Sequence, residues 1–154
     1  MVRASGLYRE SVPFDDRMLD VGGGHQLHIQ QVGRPDGLPA LYLHGGPGSG
    51  CQPLHGRLFD PEHFRVVLLD QRGAGRSTPA GALTANTTQD LLDDLERVRT
   101  ALGIDRWLIV GGSWGALLAI AYAQAYPQRV LGLVLRAVFL GSRSEVEWAF
   151  LEGP

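Results

Sequence analysis

Apolar residues along this chain cluster in short runs that longer mixed segments separate. Four runs are almost continuously apolar, at residues 40–43, 66–69, 108–110 and 130–135. Runs of this length predict strands, and the lack of alternation predicts that both faces of each strand are covered. A parallel sheet with helices on its two sides covers strands in this way.

Ahead of these runs, the hydrophobic pattern is broken. Residues 17–21 and 26–32 alternate only in part, and three consecutive glycines at 22–24 separate them. Two such segments joined by a glycine turn predict an antiparallel hairpin, which we place at an edge of the sheet.

Two segments between the apolar runs have helical spacing. In residues 88–102 the large apolar side chains fall on one stripe, and Thr87 with Asp90 matches a capping box. Residues 115–126 are rich in alanine and stop at Pro127, which predicts a second helix packed closely on the sheet. Strands that alternate with helices imply right-handed crossovers, so the predicted fold class is α/β.

Length and charge narrow the class of protein. The chain has 154 residues, enough for one domain with a core, and its 14 basic and 16 acidic residues leave a net charge of −2. Such an even balance gives no field that would attract nucleic acid or an anionic membrane, so we expect neither as a partner.

Cys51 is the only cysteine, which excludes an internal disulfide and a zinc-finger spacing and favours a reducing compartment. The chain has neither a signal-like start nor an apolar segment of the roughly 18 residues that a membrane span needs. We therefore expect a soluble, cytoplasmic protein that uses no metal and no cofactor.

The pentapeptide GGSWG at 111–115 fits the pattern G-x-S-x-G and falls where a strand gives way to a helix. A nucleophile elbow has this place in the chain, and its tight turn needs small residues on both sides of the serine. Ser113 would then lie exposed at a helix N-terminus, where N–H groups favour developing negative charge. The alternative is a glycine-rich turn in which Ser113 only caps the helix.

The pentapeptide HGGPG at 44–48 directly follows the first of the parallel strands. Enzymes that transfer acyl groups on this architecture place one oxyanion-hole donor there and the other in the residue after the nucleophile. The predicted hole consists of the N–H groups of Gly46 and Trp114. The bond between Gly46 and Pro47 can be cis or trans, and the alternative interpretation of the segment is a tight turn only.

A third glycine-containing turn, DQRGAGRS at 70–77, follows the next strand. It lacks the Lys-Ser/Thr pair of a P-loop, and its spacing is not G-x-G-x-x-G, so nucleotide binding is excluded. We interpret it as a structural turn in which Asp70 and Arg72 bridge loops around the site.

Taken in order, several segments resemble the prolyl aminopeptidases (proline iminopeptidases), serine peptidases with the α/β-hydrolase fold. The segments are HGGPG, FDPEHFRVVLLDQRGAGRSTP, NTTQDLLDDLERVR, GGSWG and AYAQAYPQRVLGLVLRAVFL, and the resemblance runs from about Tyr8 to the end of the chain. It implies release of an N-terminal proline from a peptide substrate through an acyl-enzyme. Ser113 would attack the prolyl carbonyl, and Gly46 and Trp114 would hold the oxyanion.

The same resemblance implies that Arg136 and Phe139 line the substrate pocket, with Phe139 against the pyrrolidine ring. From the sequence alone, a strand-end cation and a core aromatic are the alternatives for these two residues. One departure from the family is Ala149, at a position where relatives carry an aromatic residue of the cap.

A serine nucleophile needs an adjacent base, and in this fold the order along the chain is serine, acid, histidine. All five histidines precede Ser113, at positions 25, 28, 44, 55 and 63, and neither aspartate nor histidine follows it. We therefore expect the N-terminal half of a hydrolase, with core residues 1–140 and the start of a helical cap at 141–154, and an isolated chain that is inactive.

Two other functions remain open at this point. One is a different hydrolase of the same fold, an esterase or an amidase, and the other is a truncated product without catalytic activity. The oligomeric state is also open. In the usual strand order, residues 130–135 would form an exposed apolar edge, which is a template for aggregation.

Overall fold

Six strands form one mixed sheet in the computed structural model, which describes residues 6–148 and residue 151. The strands are β1 (Asp15–Gly22), β2 (His25–Gly33), β3 (Leu38–Leu43), β4 (Phe64–Leu69), β5 (Trp107–Gly112) and β6 (Val130–Arg136). The helices are α1 (Pro53–Gly56), α2 (Thr88–Ala101), α3 (Trp114–Ala125) and α4 (Arg143–Glu147), with a 3-10 turn at Pro127–Arg129. The α/β prediction is confirmed.

The spatial order of the strands is β1-β2-β4-β3-β5-β6. β1 pairs with β2 and β2 with β4 in antiparallel fashion, whereas β4, β3, β5 and β6 run parallel to one another. The predicted edge hairpin and the four parallel strands are therefore confirmed. Since parallel strands end at one edge of the sheet, the loops after β3, β4, β5 and β6 meet there.

The core has one cluster on each face of the sheet, because successive strand residues point to opposite sides. On one face, Leu95, Trp107 and Tyr122 belong to a large cluster that includes residues of α2 and α3. On the other, Tyr42 and Phe59 belong to a smaller cluster. This two-sided burial explains why the central strands are continuously apolar.

The capping box of α2 is present as predicted. The Thr87 hydroxyl accepts the N–H of Asp90, and the Asp90 carboxylate accepts the N–H of Thr87. Each interaction satisfies a donor that the first turn of a helix leaves free.

β6 is one of the two outer strands of the sheet and pairs only with β5 among the described residues. Its side chains Leu131, Leu133 and Val134 are 42%, 37% and 51% exposed, which confirms the expected apolar edge. The strand extends to Arg136, one residue beyond the apolar run, because a polar end residue can still pair.

α4 lies in residues 141–154, where the start of a helical cap was expected, whereas no helix was expected at α1. Residues 149, 150 and 152–154, which the prediction assigned to a cap, lie outside the described residues, so Ala149 does as well. Within the described chain, none of the helices combines the length and the apolar character needed to cross a membrane.

Candidate active site

Ser113 occupies the single residue between β5 and α3, with φ 55° and ψ −121°. Non-glycine residues avoid positive φ, so the surrounding structure must hold this turn. Part of that support is the N–H of Ser113, which donates to the carbonyl of Arg136 at 3.0 Å. The residue is exposed and its side chain makes no capping hydrogen bond, so the interpretation as a helix-capping serine is wrong.

The glycines around Ser113 are required by close backbone contacts. A Cβ at Gly111 would lie 2.3 Å from the carbonyl oxygen of Gly115, and one at Gly115 would lie 2.1 Å from that of Leu43. No side chain fits at such distances. The motif therefore allows α3 to start directly against the end of β3, with the serine raised at the turn between β5 and α3.

The HGGPG loop lies directly against this turn. A Cβ at Gly45 would be 3.3 Å from the Cβ of Ser113 and 3.0 Å from the carbonyl oxygen of Gly112. Gly46 has φ 118°, and its bond to Pro47 is cis. The segment after β3 and the segment after β5 thus form one contiguous backbone surface beside the serine.

The two predicted oxyanion donors have free N–H groups in the described part of the chain. Neither the N–H of Gly46 nor that of Trp114 donates to another protein atom there. Trp114 is the first residue of α3, and the first N–H groups of a helix have no acceptor within the helix. Free donors beside an exposed hydroxyl are the arrangement that stabilises negative charge in acyl transfer.

His44 is buried and both of its ring nitrogens have partners. Nε2 lies 3.1 Å from the N–H of Gln71, which can only donate, so Nε2 is the unprotonated nitrogen. Nδ1 then carries the hydrogen and donates to the carbonyl of Gly45 at 2.9 Å, while the N–H of Gly50 lies at the longer distance of 3.2 Å from the same nitrogen. Burial lowers the pKa of His44, which favours this neutral form. With its lone pair already used, His44 holds the loop and is not a base for Ser113.

The other four histidines lie elsewhere. His25 and His28 are in β2, which β4 and β3 separate from β5. His55 is half-buried in α1, and His63 is exposed in the turn before β4. In the region the structure describes, no histidine makes a hydrogen bond with the Ser113 hydroxyl.

The DQRG turn has the bridging role expected of it. The buried carboxylate of Asp70 accepts the N–H groups of Cys51 and Arg76, which belong to two different loops. Arg72 forms a buried ion pair with Asp94 of α2. These contacts fix the loops after β3 and β4 relative to the helix.

Arg136 ends β6, next to the turn that carries Ser113. Its Nε is 3.9 Å from the point where a Cβ of Gly112 would lie, and the residue is exposed. Phe139 is half-buried in the segment between β6 and α4. The structure thus places Arg136 beside the candidate nucleophile and Phe139 three residues further along.

A cleft of about 340 Å³ lies between the segments that follow β3 and β4 and the start of α3. Its lining includes Pro47, Gln71, Leu83, Asn86, Leu91 and Trp114. Across the described residues, no three His, Cys, Asp or Glu side chains come together as a metal site would need.

A model of the alpha/beta hydrolase fold family matches residues 39–152. The chain therefore belongs to the alpha/beta hydrolase fold family. Proline iminopeptidase from Xylella fastidiosa (strain 9a5c) is 53% identical to it over 147 residues, which are 96% of this chain and 47% of that protein. The resemblance drawn from the motifs is thereby confirmed, and the chain spans about half the length of the curated relatives it matches.

Solved structures agree with this family. The proline iminopeptidase-related protein of Thermus thermophilus superposes with a TM-score of 0.69 and 33% identity, over 79% of this chain and 43% of its own. An epoxide hydrolase mutant from Vigna radiata gives a TM-score of 0.71 at 28% identity, over 84% of this chain and 40% of its own. The fold thus carries more than one chemistry among its neighbours, so the residues of the site, and not the fold, determine the function.

Proposed function

We propose that this chain supplies the nucleophile and the oxyanion hole of a serine peptidase that releases N-terminal proline from peptides. The observation that carries the proposal is the exposed Ser113 hydroxyl, held at positive φ beside the HGGPG loop. Its relatives named Proline iminopeptidase, about 50% identical to it, support proline as the released residue.

In the proposed reaction, Ser113 Oγ attacks the prolyl carbonyl and loses its proton to a base. The carbonyl oxygen becomes negatively charged and accepts hydrogen bonds from the N–H groups of Gly46 and Trp114. Collapse of this intermediate breaks the peptide C–N bond, the departing amine takes the proton, and water then hydrolyses the prolyl ester.

The base must be a group other than the histidines of this sequence. In this fold the histidine follows the serine along the chain, whereas the five histidines here precede it. We propose that the acid and the histidine are supplied from outside the 154 residues.

We further propose that Arg136 and Phe139 line the pocket for the proline residue. The exposed guanidinium of Arg136 lies beside the elbow, and the half-buried ring of Phe139 offers an apolar surface for the pyrrolidine. A cytoplasmic location fits the single cysteine, whose thiol is unpaired.

The test uses the protein purified from its source with its native ends. We expect hydrolysis of proline p-nitroanilide in preference to alanine p-nitroanilide and to p-nitrophenyl butyrate, and we expect Ser113→Ala to abolish it without lowering the melting temperature. Preference for the ester would support an esterase instead. A Ser113→Ala protein that kept most of its kcat would remove Ser113 from the mechanism.

A fluorophosphonate probe tests the origin of the base. The 154-residue chain alone should be labelled far more slowly at Ser113 than an active serine hydrolase. Labelling at an ordinary rate would mean that one of the five upstream histidines acts as the base. Absence of both labelling and turnover in the protein with native ends would favour the non-catalytic product.

A further inference from the structure

Gln71 is the second residue of the turn after β4, and it forms contacts on both sides of the candidate site. Its side chain is buried, with the whole residue only 4% exposed. It lies between the HGGPG loop, which follows β3, and Trp114, which begins α3. The sequence pattern indicates no role for it.

Two hydrogen bonds connect Gln71 to His44. The main-chain N–H of Gln71 donates to Nε2 of the His44 ring at 3.1 Å, and its side-chain Nε2–H donates to the His44 carbonyl at 3.0 Å. His44 is two residues before Gly46, so these bonds fix the start of the segment that presents the Gly46 N–H.

A third hydrogen bond connects Gln71 to the other side of the predicted hole. The indole Nε1–H of Trp114 donates to Oε1 of Gln71 at 3.0 Å. Trp114 is the residue whose main-chain N–H is the second predicted donor. One amide group therefore joins the two backbone segments that have to converge on the same oxyanion.

The orientation of this amide is determined by its partners. An indole N–H can only donate and a backbone carbonyl can only accept, so Oε1 must face Trp114 and Nε2 must face His44. A glutamate offers no donor when ionised, and a leucine or methionine offers neither group. Glutamine thus meets a requirement that ionised glutamate, leucine and methionine do not meet.

The preceding residue fixes the far end of the same loop. The Asp70 carboxylate accepts the N–H of Cys51 at 2.5 Å, and Cys51 follows the loop by three residues. Consecutive residues after β4 therefore hold the HGGPG loop at both ends, and only Gln71 also reaches α3.

We propose that Gln71 is a positioning residue that sets the separation of the two oxyanion donors, Gly46 and Trp114. The proposal rests on the proposed acyl-transfer function of the site. Because Gln71 acts through the donors, its loss should weaken binding of the tetrahedral, negatively charged intermediate more than binding of the uncharged substrate.

The experiment compares Gln71→Met and Gln71→Glu with the unaltered protein, each with native ends. Removing a whole oxyanion donor costs about 100-fold or more in kcat, so displacing the donors should cost about tenfold or more while KM changes little. The second measurement is the inhibition constant of pyrrolidine-2-boronic acid, whose adduct with a serine is tetrahedral, relative to that of L-proline. We expect the ratio of the boronate's inhibition constant to that of L-proline to rise by about the factor by which kcat falls.

Three further variants separate positioning from folding. Trp114→Phe keeps the main-chain N–H and removes only the indole donor. Like Gln71→Met, it should therefore lower kcat and raise the boronate ratio. The double variant Gln71→Met/Trp114→Phe should cost little more than Gln71→Met, because the two changes break one connection. Gln31→Met, a buried glutamine of β2 that bonds Asp15 and Arg65, is the matched control and should leave both measurements unchanged.

Gln71→Glu adds a readout that a merely structural residue would not give. Its protonated form can donate to the His44 carbonyl and accept from the indole, so its kcat relative to the unaltered protein should recover as the pH is lowered. If the Gln71 variants lose melting temperature but keep kcat within twofold and leave the boronate ratio unchanged, the proposal is overturned. Should the protein prefer an ester over proline p-nitroanilide, the same variants tested on that ester decide the role of Gln71 separately.

Discussion

Arg72 and Asp94 form a two-pronged ion pair in which both side chains are withdrawn from solvent. Nε of Arg72 is 2.6 Å from Oδ2 of Asp94 and Nη2 is 2.7 Å from Oδ1, with the side chains 3% and 2% exposed. The remaining Nη1 donates to the carbonyl of Ala85 at 2.6 Å. The pair therefore fastens the turn after β4, and with it a wall of the cleft, to α2.

Asp94→Ala should destabilise the protein by about 3–5 kcal/mol, because it leaves the Arg72 guanidinium buried without its counter-charge. The measurement is the free energy of unfolding in urea. The matched control is the double variant Arg72→Met/Asp94→Leu, which removes both charges and should recover most of that loss. A single variant that lost less than about 1 kcal/mol, the usual worth of an exposed pair, would contradict the burial described here.

Gly115→Ala should prevent the elbow from forming, since the new Cβ would lie 2.1 Å from the carbonyl oxygen of Leu43. We expect a loss at or above the upper end of the about 1–3 kcal/mol usual for overpacking, seen as a lower urea midpoint. Gly132→Ala in β6 is the control, because its Cβ would meet Leu108 at an ordinary 3.5 Å. Equal effects of the two substitutions would refute the close approach of α3 to β3.

Ser113→Gly should be more stable than Ser113→Ala by about 1 kcal/mol, although both lack the hydroxyl. Alanine keeps the unfavourable φ of 55°, whereas glycine adopts it without steric cost, and the greater freedom of unfolded glycine offsets part of the gain. Thermal unfolding of the two variants side by side measures the difference. A more stable alanine variant would show that the turn is unstrained.

Acidification should destabilise the protein through His44 as the pH falls below about 6.5, which is the ordinary pKa of a histidine side chain. Burial lowers the pKa of His44 in the folded state, so the unfolded state binds more protons and gains relative stability. Burial lowers the pKa of His55 in the same direction, so a smaller dependence remains without His44. The free energy of unfolding in urea should therefore fall less steeply with decreasing pH for His44→Asn than for the unaltered protein or for His63→Asn. Identical slopes in all three would exclude His44 as the source.

The layout of the sheet could be predicted from the sequence because its signals are local. Each central strand is a continuous apolar run, and the capping box of α2 lies within four residues. The predicted bounds fell short at strand ends, where polar residues such as Asp15 or Arg136 pair in the sheet without contributing to the apolar pattern. α1 was missed because four residues are too few to show a helical period.

The arrangement of the candidate site was only partly predictable. Glycine and serine spacing pointed to the elbow, since the chemistry of that turn constrains adjacent residues. The role of Gln71 left no such signal, because its partners are 27 and 43 positions away along the chain. A hint was available in its place two residues after a parallel strand, at the edge of the sheet where sites are built.

The N–H of Ser113 donates to a carbonyl of β6, an outer strand that has a neighbour on one side only among the described residues. Amide hydrogens exchange with solvent when their acceptors open, and outer strands open more readily than central ones. The Ser113 amide should therefore exchange with deuterium at the pace of β6 and faster than the amides at the centre of β5. The backbone geometry of the candidate nucleophile therefore persists only while β6 stays paired to β5.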